Sequence, residues 1–383
     1  VEVENHRIIN IKGDQNNIAT QGYSCTKGRH QYEIYQSPDR LKYPLKKING
    51  KHVRISWEQA ISEIGAKVNG ITKEYSKDSI AMYVGTAAGF GVLHPAFAQG
   101  FLEGIGSNNM FASATQDCSN KFSVSRHMYG FPFTQPFPDL ENTECLIIVG
   151  SNVVISQFSF LQVPHPIKQL KAIKARGGRV IIIDPRKTET AKVAEEHIYI
   201  KPGTDVYFYL SFLNEVNIQK GIEQDRVKEH MKGLEEVLEM AAAWPAEETE
   251  SITGIKVEVL KDLVKTYLTA NGASLYCSTG VNMGGEGTLA FWIQEVINAI
   301  TGNLDRKGGT LVGRGIMDFL KFGVKNGLLM KDLKSRVGGF GTVNDAFPGG
   351  ILADEILTPG KEQIKSLFVI GGNHLMIMVD SGK

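Results

Sequence analysis

RVIIIDPRKTETAKVAEEHIYIKPGTD, residues Arg179–Asp205, is the stretch that decides the fold of this chain. Its first five residues, Arg179–Ile183, form an almost entirely apolar, β-branched run, which is typical of a parallel strand buried on both faces. A polar turn and a short helix follow. The run His197–Lys201 then predicts a second strand, which ends in the polar turn Pro202–Asp205. The stretch therefore predicts two parallel strands joined by a helix.

Both polar turns fall at the carboxyl ends of these strands, which is the edge where open α/β sheets bind ligands. The first turn, Pro185–Thr190, follows Asp184 and offers several backbone N–H groups beside the guanidinium of Arg186. Such a turn suits an anion or a nucleotide. We therefore predict a ligand site at this edge of the sheet.

The same layout of a strand followed by a polar turn recurs along the chain. The pairs are Ser79–Val84 with Gly85–Gly91, Thr143–Val149 with Gly150–Asn152, Ala273–Cys277 with Thr279–Gly287, and Ile364–Ile370 with Gly371–His374. The glycine spacing alone leaves a nucleotide loop and a purely structural turn both open. Helical patterns between the strands place the chain in the α/β class. Gly313–Pro348 has poor periodicity and is predicted to be a loop.

Composition excludes several classes of function. The 383 residues are 42% hydrophobic and 22% charged, and the net charge is +1. This balance argues against nucleic acid or an anionic membrane surface as a partner and favours a small-molecule substrate. No apolar run reaches the roughly 18 residues of a membrane span, and we predict a cytoplasmic protein. Because the sequence opens without Met, we expect a fragment of a longer protein.

The four cysteines, Cys25, Cys118, Cys145 and Cys277, lie far apart without paired spacing, which argues against a disulfide framework. Cys25 lies in a glycine-bracketed loop two residues before Lys27. A lone cysteine of this kind is more often a small buried hydrophobe than a ligand. The sequence around Cys25 leaves both roles open.

Cys118 stands between Asp117 and Ser119 at a predicted helix start. A helix N-terminus favours the thiolate form of a cysteine, which binds soft metals. The alternative is an Asp or Ser that caps the helix beside a buried cysteine. The local pattern is compatible with both a metal-binding thiolate and a buried cysteine beside a capped helix.

Six short motifs share the order and spacing of one protein family. They are Cys25–Gly28, Gly150–Asn152, Ile183–Thr190, Pro202–Asp205, Thr301–Asn303 and Gly371–Asn373. Together they span nearly the whole chain, which resembles the molybdopterin oxidoreductases, the dimethyl sulfoxide reductase family. Members of that family hold molybdenum or tungsten between two pterin guanine dinucleotides.

The resemblance implies that the polar turns hold these dinucleotides. Asp205, Asp184 and Arg186 would contact guanosine and its phosphates. The residue types suit this role, because a carboxylate accepts two hydrogen bonds from the guanine edge and a guanidinium fork suits phosphate. Further cofactor contacts are expected from six residues of the turns: Gly150, Asn152, Gly203, Gly280, Gly371 and Asn373.

The resemblance also implies the two catalytic residues. Family members place their protein ligand to the metal near Asp117–Ser119, and we predict Cys118, because thiolate matches the dithiolene sulfurs around molybdenum or tungsten. Cys25 would be the last of four ligands to a 4Fe-4S cluster, and the other three would precede Val1. Lys27 would lie on the electron path between cluster and pterin. The family's last domain, which closes over the second pterin, would lie beyond Lys383. Without that domain and the three cluster ligands, we expect this chain by itself to be inactive and to lack the cluster and a stably bound metal cofactor.

The implied function is a two-electron oxygen-atom or hydride-type transfer at the metal, with electrons passing to an electron-transfer partner protein or iron–sulfur subunit. Formate dehydrogenases usually place His after the metal ligand, whereas this chain has Ser119, which argues against formate. A non-catalytic electron-transfer subunit of a respiratory complex is one alternative, and the retained nucleotide-binding turns argue against it. A nicotinamide-dependent dehydrogenase is another, and the missing G-x-G-x-x-G pattern argues against that one.

The predicted domain organisation has three parts. Residues 1–50 would be the β-rich remnant of an iron–sulfur domain. Residues 51–140 and 346–383 would form a first α/β domain, and residues 141–345 a second, nucleotide-binding one. The predicted fold is thus α/β, a small N-terminal cap followed by two Rossmann-like αβα domains, one inserted in the other.

Overall fold

A computed structural model describes most of the chain. The described residues are 1–91, 93–156, 161, 164–313 and 318–377. The chain divides into two compact units. The first unit comprises Val1–Lys12, Thr26–Ser119 and Gly327–Lys383, and the second comprises Gly13–Cys25 and Asn120–Asn326.

The strands are short, as is usual in α/β proteins. In chain order they are β1 (Glu2–Glu4), β2 (Arg7–Asn10), β3 (Leu45–Ile48), β4 (Lys51–Arg54), β5 (Ile80–Val84), β6 (Asn109–Ala112), β7 (Phe137–Pro138), β8 (Cys145–Val149), β9 (Arg179–Ile183), β10 (Glu196–Ile198), β11 (Ala273–Cys277), β12 (Thr310–Leu311), β13 (Phe347–Pro348) and β14 (Ser366–Ile370).

The helices connect these strands. In chain order they are α1 (Thr26–Arg29), α2 (Gln31–Gln36), α3 (Trp57–Glu74), α4 (His94–Ile105), α5 (Ser119–Tyr129), α6 (Val153–Ser156), α7 (Pro166–Ala175), α8 (Glu189–Ala194), α9 (Asp205–Ile218), α10 (Gln224–His230), α11 (Leu234–Ala242), α12 (Ala246–Thr253), α13 (Val257–Thr269), α14 (Thr279–Asn282), α15 (Gly287–Ile300), α16 (Phe319–Asn326), α17 (Leu352–Leu357) and α18 (His374–Ile377).

The second unit is built on a parallel sheet with the strand order β10-β9-β8-β11. Ile147 of β8 lies in register between Ile181 of β9 and Leu275 of β11. All residues of β8 and β11 are buried, as the continuous apolar runs predict. The strand predicted from Arg179 is confirmed as β9.

Helices cover both faces of this sheet. Residues such as Ile147 and Ile181 pack in one core cluster with the buried helices α9 and α15, and the alternate residues Leu146 and Ile182 pack in a second cluster with α7 and α8. This alternation is the period of two expected of a strand buried on both sides. The second unit is therefore a three-layer αβα structure.

The first unit contains a second parallel sheet, with the strand order β13-β6-β5-β14. Tyr83 and Phe111 pack on one face with residues of α17, and Met82 packs on the other face with Ala98 and Leu102 of α4. Helix α3 begins at Ser56, whose Oγ accepts a hydrogen bond from Gln59 N at 3.1 Å. The predicted α/β fold class is confirmed for both units.

One sequence-based expectation is wrong. The predicted loop Gly313–Pro348 contains helix α16 and strand β13. Phe319 of α16 packs edge-on against Phe131 and Phe133, with ring centroids 5.7 Å apart in both pairs. Because aromatic contacts with a distant segment stabilise this short helix, local periodicity could not predict it.

The predicted boundaries of the cap and the two domains stay a prediction, and the last part of the first predicted domain, 378–383, lies outside the described residues. Within the described ranges, no helix combines the length and the apolar character needed to cross a membrane.

Candidate functional site

Two turns meet at the carboxyl edge of the second unit's sheet. Gly150 follows β8, Gly280 lies in the first turn of α14 after β11, and Gly280 N donates to Gly150 O at 2.9 Å. A Cβ placed on Gly280 would lie 2.6 Å from that oxygen. Both glycines are thus explained by close backbone contact between two turns, and their predicted contact with a cofactor stays a prediction.

This contact gives a first testable expectation. Gly280→Ala should lower the free energy of unfolding by about 1–3 kcal/mol, because its methyl group would force the two turns apart. Gly285→Ala is the matched control, since a Cβ at Gly285 meets no atom within 4 Å. Urea denaturation of both variants measures the difference. Equal stability of the two variants would contradict the contact.

Asn152 joins the turn after β8 to the start of α8. Its Nδ2 donates to Glu189 Oε2 at 2.6 Å, and its Oδ1 accepts from Thr190 Oγ1 at 2.8 Å. The bond from Asn152, the backbone N–H of Glu189 and a weaker bond from Arg186 lower the pKa of Glu189 to about 2. Asn152 therefore holds two neighbouring turns together, and this role alone accounts for both ends of its amide.

Asp184 and Arg186 lie in the turn that follows β9. Asp184 Oδ1 accepts from Arg186 N at 2.8 Å, and Asp184 O contacts His197 Nε2 at 3.0 Å. The guanidinium of Arg186 is 62% exposed and donates to Glu189 Oε2 at 3.3 Å. Hydrogen bonds within the turn thus fix its backbone, while the guanidinium of Arg186 faces solvent.

Asp205 is the first residue of α9, and the turn Pro202–Thr204 precedes it. Burial of its carboxyl group, with a further contribution from the nearby Asp184, raises its pKa to about 6. The backbone N–H of Asp205 partly offsets this shift. The fold therefore holds two carboxylates near each other at one edge of the sheet, with Asp205 mostly removed from water.

Sequence reasoning missed a buried lysine beside this edge. Lys121 of α5 is 3% exposed, and its Nζ donates to Cys277 O at 2.6 Å, at the end of β11. The same ammonium lies 4.8 Å from the ring centroid of Phe291. Burial raises the pKa of the Cys277 thiol to about 11, so this thiol is neutral at physiological pH. The buried state of Lys121 depends on residues far away in sequence, and no local signal indicates it.

A hydrogen-bonded chain of buried side chains extends from this edge along α15. Tyr209 Oη donates to Gln294 Oε1 at 3.1 Å, and Gln294 Nε2 donates to Glu295 Oε1 at 3.0 Å. Tyr129 Oη then donates to Glu295 Oε2 at 2.9 Å. Burial raises the pKa of Glu295. Glu295 is the lone acid in the apolar run Leu289–Ile300, and such an isolated acid is the sequence signal that could have indicated this hydrogen-bonded network.

In the first unit, Cys118 immediately precedes α5 and is half-buried. Its backbone N–H donates to Ala114 O at 3.0 Å, and the adjoining turn is fixed by Thr115, whose Oγ1 accepts from Gly349 N at 2.7 Å. The thiol is therefore placed at the predicted helix start by a braced turn. Asp117 beside it is exposed.

The first unit repeats the contact between two turns. Gly85 N donates to Ile370 O at 2.8 Å, and a Cβ on Gly371 would lie 2.2 Å from Ala88 N. Gly371 thus has a structural explanation as well, while Asn373 is exposed. The cofactor roles predicted for both residues stay a prediction.

Three predicted residues remain to be described. Cys25 is half-buried in the second unit, Lys27 is exposed on α1 of the first unit, and Gly203 is exposed with a positive φ of 76°. Within the described ranges, no three His, Cys, Asp or Glu side chains are grouped as a metal site.

Comparison with known proteins decides the family. The model of the molybdopterin oxidoreductase family matches residues 40–383. This chain belongs to the molybdopterin oxidoreductase family. The resemblance inferred from the six motifs is therefore confirmed.

Three relatives illustrate the similarity. The chain is 29% identical to the probable oxidoreductase YyaE of Bacillus subtilis, covering 100% of this chain and 55% of that protein. It is 26% identical to F420-dependent formate dehydrogenase 2 subunit alpha of Methanococcus maripaludis, and the match covers 99% of this chain and 56% of that protein. The structure of acetylene hydratase from Pelobacter acetylenicus matches with a TM-score of 0.77 at 22% identity, covering 95% of this chain and 54% of that one. The chain thus spans about half the length of these molybdopterin oxidoreductase relatives.

Family membership implies a molybdenum or tungsten pterin cofactor. The nicotinamide-dependent alternative loses its support, because the family model covers nearly all of the chain.

Proposed function

We propose that this chain is the cofactor-binding part of an oxidoreductase that holds molybdenum or tungsten between two pterin guanine dinucleotides. The reaction is a two-electron oxygen-atom or hydride-type transfer, and electrons leave through a 4Fe-4S cluster. The bound metal cofactor supplies the redox chemistry. The residues of the chain bind and orient that cofactor.

The carboxylate of Asp205 is the observation that carries the guanine part of the proposal. Its burial, with Asp184 nearby, raises its pKa to about 6, so its ionised form is costly in the ligand-free chain. The guanine edge offers two adjacent N–H donors, which stabilise the ionised carboxylate. Adenine presents a ring nitrogen acceptor there instead, which would face the carboxylate unfavourably. The site therefore favours guanine.

Arg186 supplies the cation for the phosphates. Its present ion pair with Glu189 is exposed and 3.3 Å long, so it contributes little. Because Glu189 also bonds to Asn152, the guanidinium can exchange this carboxylate for a phosphate without leaving Glu189 unpaired. The exposed turn of Gly203 lies beside the same edge and allows backbone to approach the nucleotide.

Cys118 is the proposed protein ligand to the metal. Its turn is braced by Thr115 and Gly349, which limits the positions that the sulfur can take. Cys25 is the proposed cluster ligand, and Lys27 the residue between cluster and pterin. These three assignments come from the family resemblance, and the half-buried state of both thiols is compatible with them.

The proposed substrate is a small molecule, and the proposed partner is an electron-transfer protein or iron–sulfur subunit in the cytoplasm. The family relatives include formate dehydrogenases and nitrate reductases, so the family alone does not select a substrate. Ser119 in place of His after Cys118 argues against formate. A non-catalytic electron-transfer subunit is the remaining alternative.

Metal and nucleotide analysis of the full-length protein tests the proposal. We expect molybdenum or tungsten, with about two GMP released by acid hydrolysis per metal ion. Asp205→Ala should reduce the GMP released, whereas Asp225→Ala, which removes an exposed carboxylate from the start of α10, should not. Full-length protein that transfers electrons without molybdenum or tungsten would favour the electron-transfer subunit instead.

A further inference from the structure

A second cleft lies within the second unit, outside the turns at the carboxyl edge of its sheet. It encloses about 620 Å³ between the end of α5, helices α10 and α11, and the later turns of α15. This volume is typical of a small-molecule site. The cleft does not include any of the residues to which the family resemblance assigns a role.

Apolar side chains form most of the wall of this cleft. All four helices contribute to it: Met128, Val227, Leu234, Val237, Trp292 and Val296. Trp292 is half-buried and offers a flat, rigid contact surface. Such a wall binds the hydrocarbon body of a ligand.

The polar side chains of the cleft are almost all basic. Arg226 contributes a guanidinium, whose Nη2 also donates to Leu304 O, and Lys232 contributes an ammonium group. His127 and His230 add ring N–H donors. Tyr129 also lines the cleft, and its hydroxyl donates to the buried Glu295. No Asp or Glu is among the described residues of the lining.

Exposed acids lie close to this basic rim, among them Glu229 and Glu236, and Glu236 Oε2 would be 3.8 Å from a Cβ on the lining residue Gly233. Glu229 Oε1 is 3.7 Å from His230 Nε2, a long contact with both side chains more than half exposed. Such a pair contributes little in water. It leaves the cationic character of the rim in place.

We propose that this cleft binds an amphipathic carboxylate, with the hydrocarbon body against Trp292 and the carboxylate at Arg226 and Lys232. The apolar wall alone would accept an alcohol equally well. The basic rim supplies charge-assisted hydrogen bonds, which are stronger to a carboxylate than to a neutral hydroxyl group. A nucleotide fits less well, because its ribose and phosphates would cover an apolar wall that lacks partners for them.

Octanoate and octanol test the proposal, because they share a hydrocarbon chain and differ in charge. Calorimetric titration of the full-length protein should give octanoate a dissociation constant about tenfold or more below that of octanol. Lys232→Glu should weaken octanoate binding by about tenfold and leave octanol unchanged. Trp292→Leu should weaken both probes.

Lys265→Glu is the matched control, because Lys265 is an exposed lysine of α13 that does not line the cleft. It should leave both affinities unchanged, and thermal unfolding should show that each variant folds. Equal binding of octanoate and octanol, octanoate binding that survives Lys232→Glu, or no binding of either probe would each overturn the proposal.

Discussion

Cys118→Ala in the full-length holoenzyme is expected to reduce turnover to background while the pterin content stays nearly intact. The reason is chemical: the proposed metal already carries dithiolene sulfurs, and a thiolate at a helix N-terminus is a matching ligand. Cys118 immediately precedes α5, in a turn braced by Thr115. The substitution removes one side chain and does not alter the polar turns of the second unit, which are the proposed nucleotide site.

Asp117→Asn and Ser119→Ala are the controls, since either side chain could serve as the alternative ligand. Consecutive residues point in different directions, so only one of the three can face a given ion. We expect both controls to lower stability more than activity. X-ray absorption at the metal edge supplies a second measurement, because Cys118→Ala should remove one metal–sulfur scatterer. A spectrum that changes in Asp117→Asn instead would move the assignment to Asp117.

The sequence predicted the parts of the fold that depend on local patterns. The β-branched run from Arg179 predicted strand β9. The order of strands and polar turns also placed Asp184 and Asp205 at one sheet edge. These features depend on the periodicity of apolar residues, on turn residues and on the general geometry of parallel strands. A single sequence is therefore enough to predict them.

The missed features depend on contacts between distant segments. The bond between Gly150 and Gly280, and the one from Lys121 to Cys277, join residues more than one hundred positions apart. A glycine in a turn after a strand suggests room for a ligand, yet these glycines make room for each other. Only the three-dimensional structure distinguishes these two reasons for a glycine.

Helix α3 gives a further example of this limit. Trp57 and Ile61 share one face of the helix, yet they are 64% and 68% exposed. Helical spacing carries no information on which segment covers that face.

Asp205→Asn is expected to act in opposite directions on stability and on nucleotide affinity. Folding raises the pKa of Asp205 from 3.8 to about 6, so the folded protein favours the protonated carboxyl group. The stabilisation from this protonated group is fully present below pH 3.8 and is lost as the pH rises through about 6. At pH 7.5 the ionised group therefore opposes folding. The neutral amide should raise the free energy of unfolding by about 1–2 kcal/mol, after allowance for solvent screening.

At pH values near 4 the protonated carboxyl and the amide are similar, so the gain in stability should nearly disappear there. Urea denaturation at both pH values measures this change. Asp225→Asn is the matched control, since Asp225 also lies in the first turn of a helix but is exposed. Loss of its favourable interaction with the helix dipole should lower stability slightly at pH 7.5, by about 0.3–1 kcal/mol.

Guanine nucleotide binding should respond to Asp205→Asn in the opposite sense. An amide replaces one of the two carboxylate acceptors with a donor, which then faces an N–H of guanine. The expected loss is about 1.5–3 kcal/mol of binding free energy, measured by titrating GDP into the chain at pH 7.5. ADP is the control nucleotide and should bind weakly to both forms. A variant that gains stability but keeps full GDP affinity would show that Asp205 is buried without recognising guanine, and the guanine contact would then belong to another residue.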